Sequence, residues 1–268
     1  MLPDDDMEMP MPGETEPASH ESALKRPREG SEGDEERVRE AVEDPDPPED
    51  VEIGALDIAE VLMLGQKKIK NSCSHSGRYD ICELFSPPRV VAEAASMGLR
   101  GGWSLDLNHI DPVTNRKWDL SQASEQGKVW KLLGRDKPLV VGLSPECTLF
   151  SQLQNLRKSE IDPEELERAI ECIRFSVKVA MYQRKKGRFF YFEHPQSATS
   201  WNLDELWNLT ECDDVEKVVA HMCRFGLTSS DELGEGLVKK PTTIATNLPS
   251  IAAAVGQLCE GGIDTFIS

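Results

Sequence analysis

Between Asp162 and Pro195 the chain reads as one long helix that empties directly into a strand with no polar face, and few folds accommodate that pair. In "DPEELERAIECIRFSVKVAMYQRKKG", Asp162 stands as an N-cap, Pro163 falls at the first helical position and Glu165 completes a capping box. Leu166, Ile170, Ile173, Val177 and Met181 recur three or four residues apart, which predicts one buried stripe. Arg184, Lys185 and Lys186 suit the negative end of the helix dipole, and Gly187 stops the helix. The next stretch, "RFFYFEHP" (Arg188 to Pro195), is apolar at consecutive rather than alternate positions. A strand of that kind needs a layer above it and a layer below.

The preceding chain supplies partners of the same kind. "YDICELF" (Tyr79 to Phe85) reads as a buried strand, and "PPRVVAEAASMG" as a helix opened by proline and ended at Gly98. "GWSLDL" (Gly102 to Leu107) is a second strand, "SEQGKVWKLLG" (Ser124 to Gly134) a helix and "PLVVGL" (Pro138 to Leu143) a third strand. Beyond the long helix, "VEKVVAHM" and "TTIATN" (Thr242 to Asn247) add two more, followed by a helix in "PSIAAAVGQL". Alternating strands and helices with right-handed crossovers predict an α/β fold, a doubly wound and mostly parallel sheet of Rossmann-like type.

Composition limits where that domain starts. Residues 1–50 carry 18 acidic against 5 basic side chains, 8 of the 17 prolines and no aromatic residue. Such a segment cannot bury enough apolar surface to offset its ordering entropy, so a disordered acidic tail is expected over 1–52. Residues 53–76 read as a helix ("IGALDIAEVLML") and a polar linker, and the folded domain is expected over 77–268. No stretch approaches the roughly 20 apolar residues of a membrane span, so no membrane partner is expected. The acidic N-terminus lacks the apolar core of a secretory signal. Seven cysteines without framework spacing fit a reducing intracellular setting. "KRPRE" (Lys25 to Glu29) is the one feature that points to the nucleus over the cytoplasm, and a few basic residues in a polar tail are its plainer explanation.

In open sheets of this class, ligands bind beyond the carboxyl ends of the strands. Those ends carry Glu83 with Phe85, then Asp106, then "SPECTLFS", then Glu193, while "WDLSQ" puts Asp119 on a loop between. Proline in "SPEC" breaks the ladder and displays Cys147 in the cleft, near an expected helix N-terminus that would lower its thiol pKa. Glu193 follows four aromatic residues within "RFFYFEHP" or its flanks, so its carboxyl should be desolvated and hold its proton toward neutral pH. A thiol nucleophile beside a protonatable carboxyl can attack and donate a proton. Taken singly, an inert cysteine after a strand and a solvated strand-end glutamate are the plainer readings, but neither predicts both together at the ligand edge.

In this order the motifs resemble the cytosine-5 DNA methyltransferases. Strand-Glu-Leu-Phe, strand-Asp, loop-Asp, Ser-Pro-x-Cys-x-x-Phe-Ser and strand-Glu-x-Pro are similar to that family's succession, and "CRFG…KKPTTIATN" (Cys223 to Asn247) is similar to a segment of its phage-type members. Residues 79–260 also resemble methyltransferase-like segments in retroelement polyproteins of protists. The resemblance implies S-adenosylmethionine as cofactor, held by Glu83, Phe85, Asp106, Asp119 and Ser144. It implies Cys147 as the nucleophile at cytosine carbon 6, Glu193 as the acid, and Phe150, Ser151 and Thr242 as substrate-binding residues. DNA rather than RNA is the implied partner, with the target base flipped out of the duplex. Trp201 and Trp207 are candidate stacking residues or, equally, the packing of a lid helix.

The sequence departs from the family at identifiable places. "FSPPRVV" stands where relatives carry Gly-x-Gly after the first strand, and Glu146 puts a negative charge next to Cys147. The residues after Asn247 offer no target-recognition domain, which reads as a truncated C-terminus. A catalytically inactive, methyltransferase-fold module of a mobile-element polyprotein is therefore the alternative expectation. No phosphate-binding glycine loop is present, which speaks against other nucleotide enzymes. Cys73, His75 and Cys82, or Cys212, His221 and Cys223, lack paired Cys-x-x-Cys spacing, so no metal is expected.

Overall fold

Four parallel strands share one register, and that register positions the rest of the chain. Residues 76–151, 161–231, 234–259 and 266–267 are described in the computed structural model. The expected acidic tail (1–52) and, but for Ser76, the helix and linker (53–76) lie outside them. Strand β1 (Ile81–Leu84) pairs in parallel with β2 (Gly101–Leu105) and with β3 (Val140–Leu143), and β3 with β4 (Phe189–Pro195). The sheet continues to β8 (Pro241–Thr246) and β5 (Glu216–His221) in the order β2-β1-β3-β4-β8-β5. The architecture is thus mixed α/β around a mostly parallel sheet. Strand β8, however, runs antiparallel to both its neighbours. Direction was not legible in "TTIATN", because a buried strand has the same composition whichever way it runs.

Helices cover both faces, which accounts for the consecutive apolar residues of the central strands. Helices α1 (Val90–Ser96) and α5 (Pro249–Val255) enclose Ile81, Val140, Tyr191 and Ile244 on one face. Helices α2 (Ala123–Asp136), α3 (Pro163–Lys185) and α4 (Asp204–Thr210) enclose Leu84, Trp103, Leu105, Leu143, Phe190 and Phe192 on the other. Burying several such side chains at about 1.5–3 kcal/mol each is what opposes the entropy of ordering the chain.

The long helix keeps its expected limits but presents a different face. Asp162 caps it by accepting from the Glu164 N–H at 3.0 Å, and Gly187 ends it in the left-handed region at φ +64°. Its buried face holds Ile173, Ser176, Val177, Ala180 and Gln183, flanked by Phe175 and Val179, while Met181 is 43 % exposed. Ser176, Ala180 and Gln183 are too small or too polar to register in an apolar count. Gln183 is buried because it has work there: its Nε2 donates to the carbonyls of Pro138 and Phe189, both at 3.1 Å, and its Oε1 accepts from Arg188 Nε at 2.8 Å. Helix α2 passes through Gly134, where sequence placed its end, to Asp136, and closes at Lys137 in the left-handed region.

Two features had no sequence signal. A second sheet of β6 (Thr228–Asp231), β7 (Gly234–Val238) and β9 (Phe266–Ile267) comes from stretches rich in Ser, Gly and acidic residues that lack an apolar alternation. At the outer edge of β2, the buried carboxylate of Asp111 accepts from the N–H groups of Ser104 (2.8 Å) and Thr114 (2.5 Å). It thereby occupies a backbone donor that a further strand would otherwise have to satisfy.

On the α1/α5 face, Gly142 of β3 lies opposite Tyr191 of β4, and a Cβ at position 142 would overlap the Tyr191 phenol. Tyr191 is 2 % exposed and has no room to withdraw. Gly142→Ala should therefore destabilise the protein by about 1–3 kcal/mol, measured by chemical denaturation; an unchanged midpoint would show that the ring can move aside.

Candidate functional site

Leu84 is in register with Leu105 on one side and Leu143 on the other, and Leu143 with Phe192. The next residue of each strand, namely Asp106, Phe85, Ser144 and Glu193, consequently falls in a single row across the sheet edge. All four line one cleft of about 610 Å³, a volume within the range of small-molecule sites. Asp119 and Cys147 line the same cleft from the connecting loops.

Cys147 leaves the sheet on the Ser144-Pro145-Glu146 turn and caps a single 3-10 turn, Thr148–Phe150, with its carbonyl accepting from the Phe150 N–H at 2.9 Å. The expected helix N-terminus is therefore reduced to one turn, and Ser151 is already extended. So short an element has almost no macrodipole. Glu146 beside it is exposed. A second cysteine, Cys172 of α3, also faces the cleft; burial, then the charges of Asp119, Glu171 and Glu146, push its thiol up to about 12. Cys172 is thus held protonated.

Glu193 is half-buried at the cleft floor, and desolvation raises its pKa above the ordinary carboxyl value. Lys240, the Ser144 hydroxyl and Arg89 oppose that shift; Ser144 Oγ donates to Glu193 Oε2 at 3.4 Å. Arg89, Arg168 and Lys240 all line the cleft, a cationic contribution scattered too widely in sequence to be recognised there.

At the other end, Asp106 Oδ1 accepts from the N–H groups of Asn108 and His109, each at 2.8 Å, and lies 2.8 Å from His109 Nδ1. These contacts fix the loop on which Asp106 lines the cleft. Asp119 Oδ1 accepts from the Ser121 N–H (3.1 Å) and hydroxyl (2.6 Å), so it also organises the turn leading to α2. Phe85 turns the chain at φ +60°, a strained conformation for an aromatic residue, and its ring meets Phe175 edge-on at 6.4 Å.

Other expected site residues lie elsewhere. Glu83 is 2 % exposed and points under α1, where Oε2 accepts from the Val91 N–H (2.9 Å) and Oε1 from Ser86 Oγ (3.0 Å). Alternation explains the placement: Glu83 shares the face of Ile81, not that of Leu84. Phe150 is buried with its ring 5.8 Å from that of His194. Ser151 lies just past the 3-10 turn, outside the cleft lining. Thr242 is buried in β8 opposite Pro195, with its hydroxyl unpaired. Trp201 is tied to the Pro195 carbonyl at 2.8 Å and packs on Phe192, whereas Trp207 is 52 % exposed. His194, unremarked in sequence, reaches the cleft wall from a 1 % exposed position, bonded through Nδ1 to Ser200 Oγ at 2.6 Å; burial lowers its pKa to about 4, which keeps it neutral. Among the described residues, no group of three or more His, Cys, Asp or Glu side chains is arranged to hold a metal ion.

Burial raises the Glu83 pKa from 4.5 to about 7 against the opposing bonds from Val91, Ser86 and Val90 and the charge of Arg89. The folded protein therefore keeps a proton that the unfolded chain releases. Stability from this group is complete below pH 4.5 and is lost as pH rises to about 7, a decline of ~3 kcal/mol. In Glu83→Gln the amide oxygen can accept from Val91 and the amine can donate to Ser86 Oγ. The variant should lose that component of the pH dependence and be the more stable protein at pH 8, by denaturation at pH 5 and 8; an unaltered pH profile would refute the assignment.

The chain matches no model of a known protein family, and no curated protein matches its sequence.

Proposed function

We propose that the cleft binds S-adenosylmethionine and methylates cytosine at carbon 5 in DNA, with Cys147 as nucleophile and Glu193 as acid. The observation that carries this reading is the convergence at the sheet edge: a desolvated carboxyl on β4, a thiol on the loop that leaves the neighbouring parallel strand β3, two carboxylates at the far side, and one cleft containing them all. Asp106 would hold the ribose hydroxyls, Asp119 the adenine amine and Phe85 the adenine ring. The opening N–H of α1 that could meet the cofactor's carboxylate is already taken by Glu83, so Arg89 is the group assigned to it.

The cofactor, when bound, supplies an electrophilic methyl group. The protein's part is to make carbon 5 accept it. The Cys147 thiolate adds to carbon 6 while Glu193, whose burial favours the protonated form, gives its proton to the ring nitrogen and accepts a hydrogen bond from the exocyclic amine. Electron density then moves to carbon 5. After methylation the carbon 5 proton leaves to solvent, Cys147 is expelled from carbon 6 as the thiolate, and the ring nitrogen returns its proton to Glu193, so both groups regain their starting states. Cytosine has to leave the duplex to reach this floor, at a cost of a few kcal/mol.

A second reading keeps the fold but not turnover: an inactive module of a mobile-element polyprotein. Its support is the β1–α1 connection, where Ser86, Pro87 and Pro88 replace a glycine loop and Glu83 occupies the Val91 N–H. Calorimetric titration of S-adenosylmethionine and S-adenosylhomocysteine into the full chain separates the two. The proposal expects micromolar binding of both, weakened about 10- to 100-fold in Asp106→Ala; no heat from the folded protein would overturn it in favour of the inactive module.

A further inference from the structure

Away from the cleft, the end of β5 gathers two thiols and an imidazole from stretches far apart in sequence. His221 ends β5, Cys223 lies in the 3-10 turn Met222–Phe225, and Cys259 follows α5. Four contacts hold this corner together. The His221 N–H donates to the Gln257 carbonyl at 2.9 Å, and His221 Nδ1 accepts from the Cys259 N–H at 3.1 Å. The same Nδ1 lies 3.2 Å from Cys259 Sγ, and the Cys259 thiol is in turn hydrogen-bonded to that of Cys223. With its Nδ1 lone pair engaged by a backbone N–H, His221 is poorly placed as a metal ligand. It is well placed to orient a thiol.

We propose that Cys223 and Cys259 are a peroxide-reactive thiol pair that closes to a reversible disulfide, with His221 positioning Cys259 for attack. The two sulfurs are differentiated by their surroundings. Cys223 is 8 % exposed, and burial together with the neighbouring thiol pushes its pKa up. Cys259 is half-exposed and stands beside the neutral imidazole, whose pKa is lowered by burial and by the cation of Lys239. The more accessible sulfur, held 3.2 Å from the His221 ring, makes Cys259 the attacking thiol and the buried Cys223 the resolving one.

The chemistry balances with hydrogen peroxide as the oxidant. The Cys259 thiol gives its proton to water, and the thiolate, held in place by His221, attacks one peroxide oxygen; the O–O bond breaks, leaving a sulfenic acid and, after protonation, water. The Cys223 sulfur then attacks the sulfenic sulfur, the S–O bond breaks, and the departing hydroxide takes the Cys223 proton as a second water. Two thiols are oxidised and one peroxide is reduced. The product ties the segment after α5 to the turn after β5.

The test treats the full chain with hydrogen peroxide, alkylates remaining thiols under denaturing conditions with N-ethylmaleimide, and maps the peptides with and without dithiothreitol. A linked Cys223–Cys259 peptide that dithiothreitol removes is expected. Cys223→Ser should leave Cys259 as a trapped sulfenic acid, and His221→Gln, folded by circular dichroism, should slow bridging by about tenfold or more. Alkylation of both Cys223 and Cys259 after peroxide, while Cys147 or Cys172 is oxidised instead, would overturn the proposal. So would purified protein in which bound zinc protects both thiols.

Discussion

The parallel pairing of Leu105, Leu84, Leu143 and Phe192 across β2, β1, β3 and β4 is the constraint on which the rest depends. In a parallel sheet the hydrogen-bond register fixes which residues emerge together at the carboxyl edge, and a one-residue slip would turn each side chain to the opposite face. Here the register is enforced from both sides, by an aromatic and leucine-rich layer under α2, α3 and α4 and by a second core under α1 and α5. Asp106, Phe85, Ser144 and Glu193 owe their common edge to that packing and not to any direct attraction between them. The switch from β1 outward in both directions, to β2 and to β3, opens the cleft at that edge.

Position along the strands explains a division of labour between two acids on the same face of the sheet, Glu83 of β1 and Glu193 of β4, with β3 between them. Glu83 points into the α1 face and serves as the missing cap of that helix, while Glu193, at the sheet end, meets the cleft and the cations of Arg89 and Lys240. Both carboxyls are raised by burial, yet one is a structural fastening and the other faces a prospective substrate. Perturbation alone does not mark a catalytic group. The same holds for the thiols: Cys172 shares the cleft with Cys147 but is held protonated by its setting.

Much of this was legible in the sequence, because buried parallel strands and a capped long helix write themselves in consecutive apolar runs and in Asp-Pro-x-Glu. That Asp106, Cys147 and Glu193 share one cleft follows from knowing that strand ends converge, whereas Asp119 and Ser144 were expected there from the resemblance. What was hidden had physical reasons. Glu83 beside Phe85 required the side-chain alternation at a strand only four residues long. Gln183 and Ser176 are buried because of what they bond, not because they are apolar. The direction of β8, the polar second sheet, and the meeting of His221 with Cys259 depend on long-range contacts that no local pattern encodes. After Cys147 the described residues make one 3-10 turn, Thr148–Phe150, and Ser151 is extended, so the thiol does not sit at the start of an α-helix.

The account turns on whether the Cys147 thiol and the Glu193 carboxyl act on the same cytosine ring. The most direct measurement incubates the full chain with S-adenosylmethionine and duplex DNA containing 5-fluorocytosine, whose carbon 5 cannot lose fluorine as a proton, and then identifies any covalent protein–DNA adduct by mass. The account predicts an adduct on the peptide bearing Cys147, absent in Cys147→Ser and strongly reduced in Glu193→Gln. A protein that binds the cofactor but forms no adduct, or forms one through another cysteine, would contradict it.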